Sequence, residues 1–132
     1  MNTLDGQAFD LAAQRGKWAI VNFWATWCGP CLKDMPELSA LDAMREHIVV
    51  VGLAYEDTTE DALRRFLVKH PVVYPMALID VYNPPADFDT PRGLPFTYLI
   101  GPDGAVVKKY TGPVSARMLE EDIAAAGGPV AG

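Results

Sequence analysis

The chain has 132 residues, 50% of them hydrophobic and 21% charged, which is enough to bury the core of one domain over residues 1–132. Its formal charge of −6, with no Lys or Arg cluster longer than a pair, argues against nucleic acid and anionic membrane surfaces and leaves a protein or small molecule as the expected partner. The longest apolar run, Trp18 to Cys28, is broken by Asn22 and reaches about half of the ~20 residues that span a bilayer, so it reads as a buried strand.

In chain order, WAIVNFWA (18–25) is the first strand, nearly all apolar as expected for a parallel strand covered on both faces. A helix follows from near Gly29 to about Glu46, with Leu32, Met35, Leu38, Leu41 and Met44 at three-residue steps and a kink at Pro36. IVVVGLAY (48–55) is the second central strand, which makes residues 18–55 one βαβ unit. TTEDALRRFLVKH predicts a second helix, with Thr58 or Thr59 as cap and Ala62, Leu63, Phe66 and Leu67 on its apolar face. A short strand, YPMALI, comes next, and then FTYLIGPDGAVVKKY reads as a hairpin of two alternating strands around Gly-Pro-Asp-Gly. SARMLEEDIAAAG closes the chain as a helix capped by Ser115 and stopped at Gly127. The expected class is α/β, a central mixed sheet, parallel then antiparallel, flanked by helices.

Both cysteines lie at the junction of the first strand and the first helix, with two residues between them. Two are too few for a disulfide scaffold, and the loop they close is tiny, so stabilisation is not their expected purpose. Cys28 falls where the strand ends and Cys31 one helical turn later, which puts both sulfurs on one face within disulfide reach. The unpaired N–H groups and dipole of a helix N-terminus favour a thiolate, which makes Cys28 the expected nucleophile. Cys31, deeper and less acidic, is suited to attack the mixed disulfide that Cys28 forms. Pro30 is tolerated because the first turn has no use for its N–H. Inert packing and half of a zinc site are the other readings; zinc usually takes four ligands, and the only histidines, His47 and His70, fall at the far ends of predicted helices.

The residues FWATWCGPC resemble the active-site segment of the thioredoxin superfamily, and the order of elements around them matches that fold. GLPFTYLIGPDG (93–104) resembles the segment that carries the superfamily's cis-proline, which places Pro95 opposite the cysteines. GKWAIVNFWATWCGPCLKDMPEL is similar to the TlpA-like branch, with its ResA-type and cytochrome c maturation members, more than to cytosolic thioredoxin. Asn22 stands where cytosolic thioredoxins carry a buried aspartate, and the acid that TlpA-like proteins place at the end of the next strand would be Glu56. Two departures stand out: DVYNPPADFDTPRG (80–93) replaces a short helix found in many relatives, and NTLDG begins in the middle of the family's N-terminal hairpin.

The resemblance implies a thiol-disulfide oxidoreductase that needs no cofactor or metal, with Cys28 and Cys31 as its redox pair. Glu56 has two readings, a proton acceptor beneath Cys31 or a solvated residue opening the EDTTED turn. Trp27, Gly29, Pro30, Leu94 and Pro95 would meet the substrate, the Leu94 backbone offering an edge for an extended segment. Trp24 and Trp27 are expected to pack, Trp27 also shielding the disulfide, and Gly112 to allow close backbone approach or to serve a strand-end turn. Gly-Pro between the cysteines matches thioredoxin, whose potential is about −270 mV, and so favours reduction. The expected partners are a disulfide-bearing protein and a membrane-bound thiol donor, met by a monomer in the periplasm or on the outer face of the cytoplasmic membrane, with any signal or anchor removed before Met1. Cytochrome c maturation is one setting. The alternatives are a general reductase feeding a peroxidase or methionine sulfoxide reductase, a cytoplasmic location, and a non-catalytic binding or chaperone module.

Overall fold

The computed structural model of the chain describes residues 1–86 and 88–130. Strands β1 (Trp18–Trp24), β2 (Ile48–Tyr55), β3 (Met76–Ile79), β4 (Phe96–Ile100) and β5 (Val106–Thr111) form one sheet in the order β3-β2-β1-β4-β5. β1, β2 and β3 run parallel, and β4 and β5 add antiparallel neighbours on the other side of β1. Parallel neighbours need crossovers, and two helices supply them, α1 (Gly29–Met44) and α2 (Glu60–Lys69), while α3 (Ala116–Ala125) follows β5. The fold is the expected thioredoxin-like one. A short 3-10 helix, Leu11–Gln14, capped by the Asp10 side chain, was not signalled by periodicity.

Every residue of β1 is buried, because the strand lies in the middle of the sheet and both of its faces are covered. Trp18, Ile20 and Trp24 point one way, into a cluster with Met35 and Leu38 of α1, Leu63 of α2 and Leu119 and Ile123 of α3. Ala19, Val21 and Phe23 point the other way, toward Phe9 and Phe88. The Phe88 ring lies 5.8 Å from that of Phe23 and 5.2 Å from that of Tyr98, so the 80–93 segment covers this face with one aromatic side chain and, among its described residues, no helix. Asn22 is fully buried and donates from Nδ2 to Thr97 Oγ1 on β4 at 3.0 Å.

Several boundaries differ from expectation for identifiable reasons. α1 ends at Met44, which is 68% exposed rather than part of the core. Steps of three residues drift around a helix, and at ~100° per residue Met44 lies about 120° from Leu38. The third strand starts at Met76, not Tyr74; Pro75 has no N–H to give the ladder, although its carbonyl accepts from Gly52 at 2.9 Å. β4 and β5 do not alternate: β4 is almost wholly buried, whereas edge strand β5 buries only Tyr110, whose hydroxyl donates to Asp122 Oδ2 of α3 at 2.6 Å. Thr59 and Ser115 cap α2 and α3, and Gly127, at φ 95°, terminates α3, its neighbour Gly128 bonding back to the Ile123 carbonyl at 2.8 Å.

The Asn22–Thr97 bond is the polar register mark in an apolar sheet. Thr97→Val leaves the Asn22 amide unpaired and should lower the unfolding free energy by about 1–3 kcal/mol in a urea titration, whereas adding Asn22→Leu removes the orphaned group and should recover most of the loss.

Candidate active site

The site forms where the chain leaves β1 and enters α1. Ala25 is fully buried, the Cys28 N–H donates to its carbonyl at 3.2 Å, and this turn brings Cys28 to the N-cap position with φ −92° and ψ 99°. Its Sγ accepts from the Cys31 N–H at 3.3 Å, so the sulfur occupies the place of the capping oxygen at an ordinary helix start. Pro30 follows in the first turn, where its missing N–H removes nothing. Cys28 and Cys31 form a disulfide across a Cα separation of 5.3 Å. Cys31 is fully buried and Cys28 is 4% exposed, while Gly29 and Pro30 are exposed and leave this side open to a partner.

A feature of α1 that periodicity did not single out is Asp34, 3% exposed and one turn beyond Cys31 on the same helical face. Burial pushes its carboxyl up to about 6; the Val114 N–H, which donates to Oδ2 at 3.3 Å, opposes the rise, and the charge of Glu37 adds to it. The signal was present in the sequence: an aspartate lies three residues after Cys31 and four before Leu38, inside the buried stripe.

Glu56 is half-buried just after β2, and both of its carboxylate oxygens are hydrogen-bonded. Its Oε1 accepts from the Thr26 N–H at 2.7 Å and its Oε2 from Thr26 Oγ1 at 2.9 Å, so both oxygens hold the turn that leads to Cys28. Trp24 packs as expected, fully buried with its ring 5.8 Å from Phe66, but Trp27 is 71% exposed and is not a packing residue. The turn that presents Cys28 carries the Trp27 side chain outward.

The Leu94–Pro95 peptide is cis, and Leu94 packs against the cluster that contains both cysteines. The Pro95 carbonyl accepts from the Gly112 N–H at 3.0 Å, and two residues later Val114 bonds Asp34, so the 112–114 connection joins the Pro95 loop to the helix that bears Cys31. Gly112 is needed for its φ of 108°, not for close approach, since an added Cβ would meet nothing within 4 Å. His70 stacks on Phe66 at 4.4 Å, and among the described residues no three His, Cys, Asp or Glu side chains converge as metal ligands.

The Redoxin family model matches residues 1–126. The thiol-disulfide oxidoreductase ResA of Bacillus cereus is 34% identical over 118 residues, 89% of this chain and 68% of its own. A solved Chlorobium tepidum structure, assigned as the thiol:disulfide interchange protein DsbE, superposes with a TM-score of 0.80 at 28% identity, over 96% of this chain and 90% of its own. A secreted disulfide oxidoreductase of Mycobacterium tuberculosis, homologous to Escherichia coli DsbE, gives 0.71 at 26% identity, over 94% and 92%.

Because the native Asp34 carboxyl holds its proton to about pH 6 while the unfolded one releases it near 3.8, the folded chain binds more protons between these values. Stability should therefore fall as pH rises from 4 through 6, with roughly 2–3 kcal/mol from this group. Denaturant titrations across that range should show a flatter profile for Asp34→Asn than for wild type, and the difference between the two isolates Asp34 from other carboxylates.

Proposed function

The chain belongs to the Redoxin family and is a thiol-disulfide oxidoreductase, and from that premise we propose that it reduces disulfides in protein partners outside the cytoplasm. The observation that carries this reading is the Cys28 sulfur at the N-cap of α1, accepting from the Cys31 N–H. That arrangement favours the Cys28 thiolate, and with it the reduced form of the pair.

The steps balance on the chain's own groups. The Cys28 thiolate attacks one sulfur of a partner disulfide; a Cys28–partner disulfide forms, and the other partner sulfur leaves as a thiolate. Cys31 gives its proton to the Asp34 carboxylate, attacks Cys28 Sγ, and releases the second partner thiolate. The partner gains two electrons and the enzyme becomes the disulfide-bonded form. Asp34 is suited to the transfer because its pKa of about 6 leaves it mostly ionised at pH 7 and still close to a thiol in proton affinity. Glu56 then acts as a positioning residue through Thr26, with direct acceptance of the Cys31 proton the other role open to it. The two sulfurs carry the electrons, so no cofactor is required, and a membrane-bound thiol donor reduces the pair again.

A location outside the cytoplasm is supported by the secreted M. tuberculosis relative and the ResA-type resemblance, which also makes cytochrome c maturation one setting for the reduction. The protein acts as a monomer in this reading.

Two variants test it. Insulin reduction with dithiothreitol should be fast for wild type and fall to the dithiothreitol background for Cys28→Ser, a substitution that keeps a good capping residue and hence the helix start. Cys31→Ser, expressed in the source cell, should accumulate partners covalently bound to Cys28 and released by reductant. Apocytochrome c or its assembly factors among them would support the maturation setting, and a peroxidase or sulfoxide reductase the alternative supply role. Insulin turnover by wild type no faster than by Cys28→Ser would point instead to a binding module.

A further inference from the structure

Three buried polar atoms have no hydrogen-bond partner among the described residues: Asn22 Oδ1, Trp24 Nε1 and the Tyr74 hydroxyl. Buried polar groups are nearly always paired, with protein or with internal water, so each calls for an account. Trp24 lies against Phe66 of α2, whereas Asn22 and Tyr74 occupy neighbouring positions over the middle of β2. Asn22 is the register partner of Gly52, and a Cβ added at Gly52 would stand 3.1 Å from Cε2 of the Tyr74 ring. The bare backbone at Gly52 lets that ring lie on the sheet beside Asn22.

The same ring is covered by α1. Tyr74 is 4% exposed and belongs to the cluster of Cys31, Met35 and Leu38, and the neighbouring Val73 N–H donates to Ser39 Oγ at 3.2 Å. Burial, with the charges of Asp34 and Asp42, pushes the phenol up, so the hydroxyl keeps its proton and is a donor at any working pH. Asp42 Oδ1 already accepts from the Val50 N–H at 2.9 Å, whereas among the described residues Asp34 has only the 3.3 Å bond from Val114. The other charges here are Glu37, which acts on Asp34, and Lys17, which acts on Asp42; no cation offsets the Asp34 carboxylate. Its ionised form therefore depends on hydrogen-bond donors.

We propose that Tyr74 is a positioning residue for the Cys31 step: its hydroxyl and Asn22 Oδ1 hold one internal water, and that water hydrogen-bonds the Asp34 carboxylate. The water accepts from the Tyr74 O–H, donates one hydrogen to Asn22 Oδ1 and the other to Asp34, and loses no proton. Three polar partners are what an internal water ordinarily has. A donor to the carboxylate favours its ionised form, which is the form that accepts the Cys31 proton. The proposal rests on the reductase reading above and adds to it the group that keeps Asp34 ready for the transfer.

The test isolates the second exchange step. The full chain, reduced, is mixed in acid with dithiobis(nitrobenzoate) to form the Cys28 adduct and then jumped to a series of pH values, and release of the second thionitrobenzoate by Cys31 is followed by stopped flow. In wild type the rate should rise with pH to a plateau, with a midpoint near the Asp34 value of about 6. Tyr74→Phe, which removes only the hydroxyl, should move that midpoint up by about half a pH unit, so that release is about threefold slower below the midpoint and equal to wild type at the plateau. In an Asp34→Asn background, adding Tyr74→Phe should change nothing. Oxygen-17 relaxation dispersion should find one long-lived water fewer in Tyr74→Phe than in wild type. An unchanged pH profile, a slowing by the same factor at every pH, or an equal water count would overturn the proposal and leave the reductase reading standing. Failure of wild type to form the adduct at Cys28, or to release the second thionitrobenzoate, would overturn the reductase reading and the proposal with it.

Discussion

The site depends on one interaction, the Cys31 N–H donating to Cys28 Sγ at the first turn of α1. An α-helix begins with N–H groups that have no partner within it, and one of them must find an acceptor. Here that acceptor is the reactive atom itself. The arrangement is possible because β1 is the central strand, buried along its whole length, and delivers the chain to a fixed point at the edge of the core. Glu56 fixes the same point from β2 by binding Thr26 twice, so the turn before Cys28 is held from both sides. Capping a helix and lowering the proton affinity of a thiol are then one physical act.

A second buried polar group lies one helical turn beyond the other sulfur. Asp34 is a burden on the fold, since a carboxylate removed from water costs free energy, and a single hydrogen bond from Val114 only partly relieves it. Buried carboxyls with raised proton affinity cluster at functional sites, which is the reason for giving this one a role in the chemistry. In the proposed mechanism its place one turn beyond Cys31 makes it the base, and the 112–114 connection ties it to the Pro95 loop. The two cysteines thus have different surroundings despite their short spacing: Cys28 Sγ accepts the Cys31 N–H beside the exposed Gly29 and Pro30, and Cys31 is fully buried one turn before Asp34.

How legible this was depended on whether the signal was local. Strand β1, the start of α1, the Ser115 cap and the Gly127 stop each follow from neighbouring residues, and each lies where the sequence placed it. The mixed sheet followed from the order of elements, and the position of Pro95 from the family resemblance. Met44 was misjudged because a three-residue step is close to the helical period without equalling it. The exposure of Trp27 depends on which way a two-residue turn carries its side chain, which composition does not encode. Asp34 could have been found by laying the helical face over the sequence, because it falls between Cys31 and Leu38 in the stripe. The Glu56–Thr26 clamp joins residues thirty apart and needs the parallel pairing of β1 with β2 before it can be seen.

The central claim is that the helix start lowers the proton affinity of the Cys28 sulfur, and the most direct measurement is the pH dependence of alkylation of Cys28 in the reduced Cys31→Ser protein, whose residue 31 backbone N–H remains in place. The account predicts a midpoint clearly below that of a free cysteine, about 8.5. A midpoint at or above that value would mean that capping α1 does not favour the thiolate, and would contradict the account at its origin.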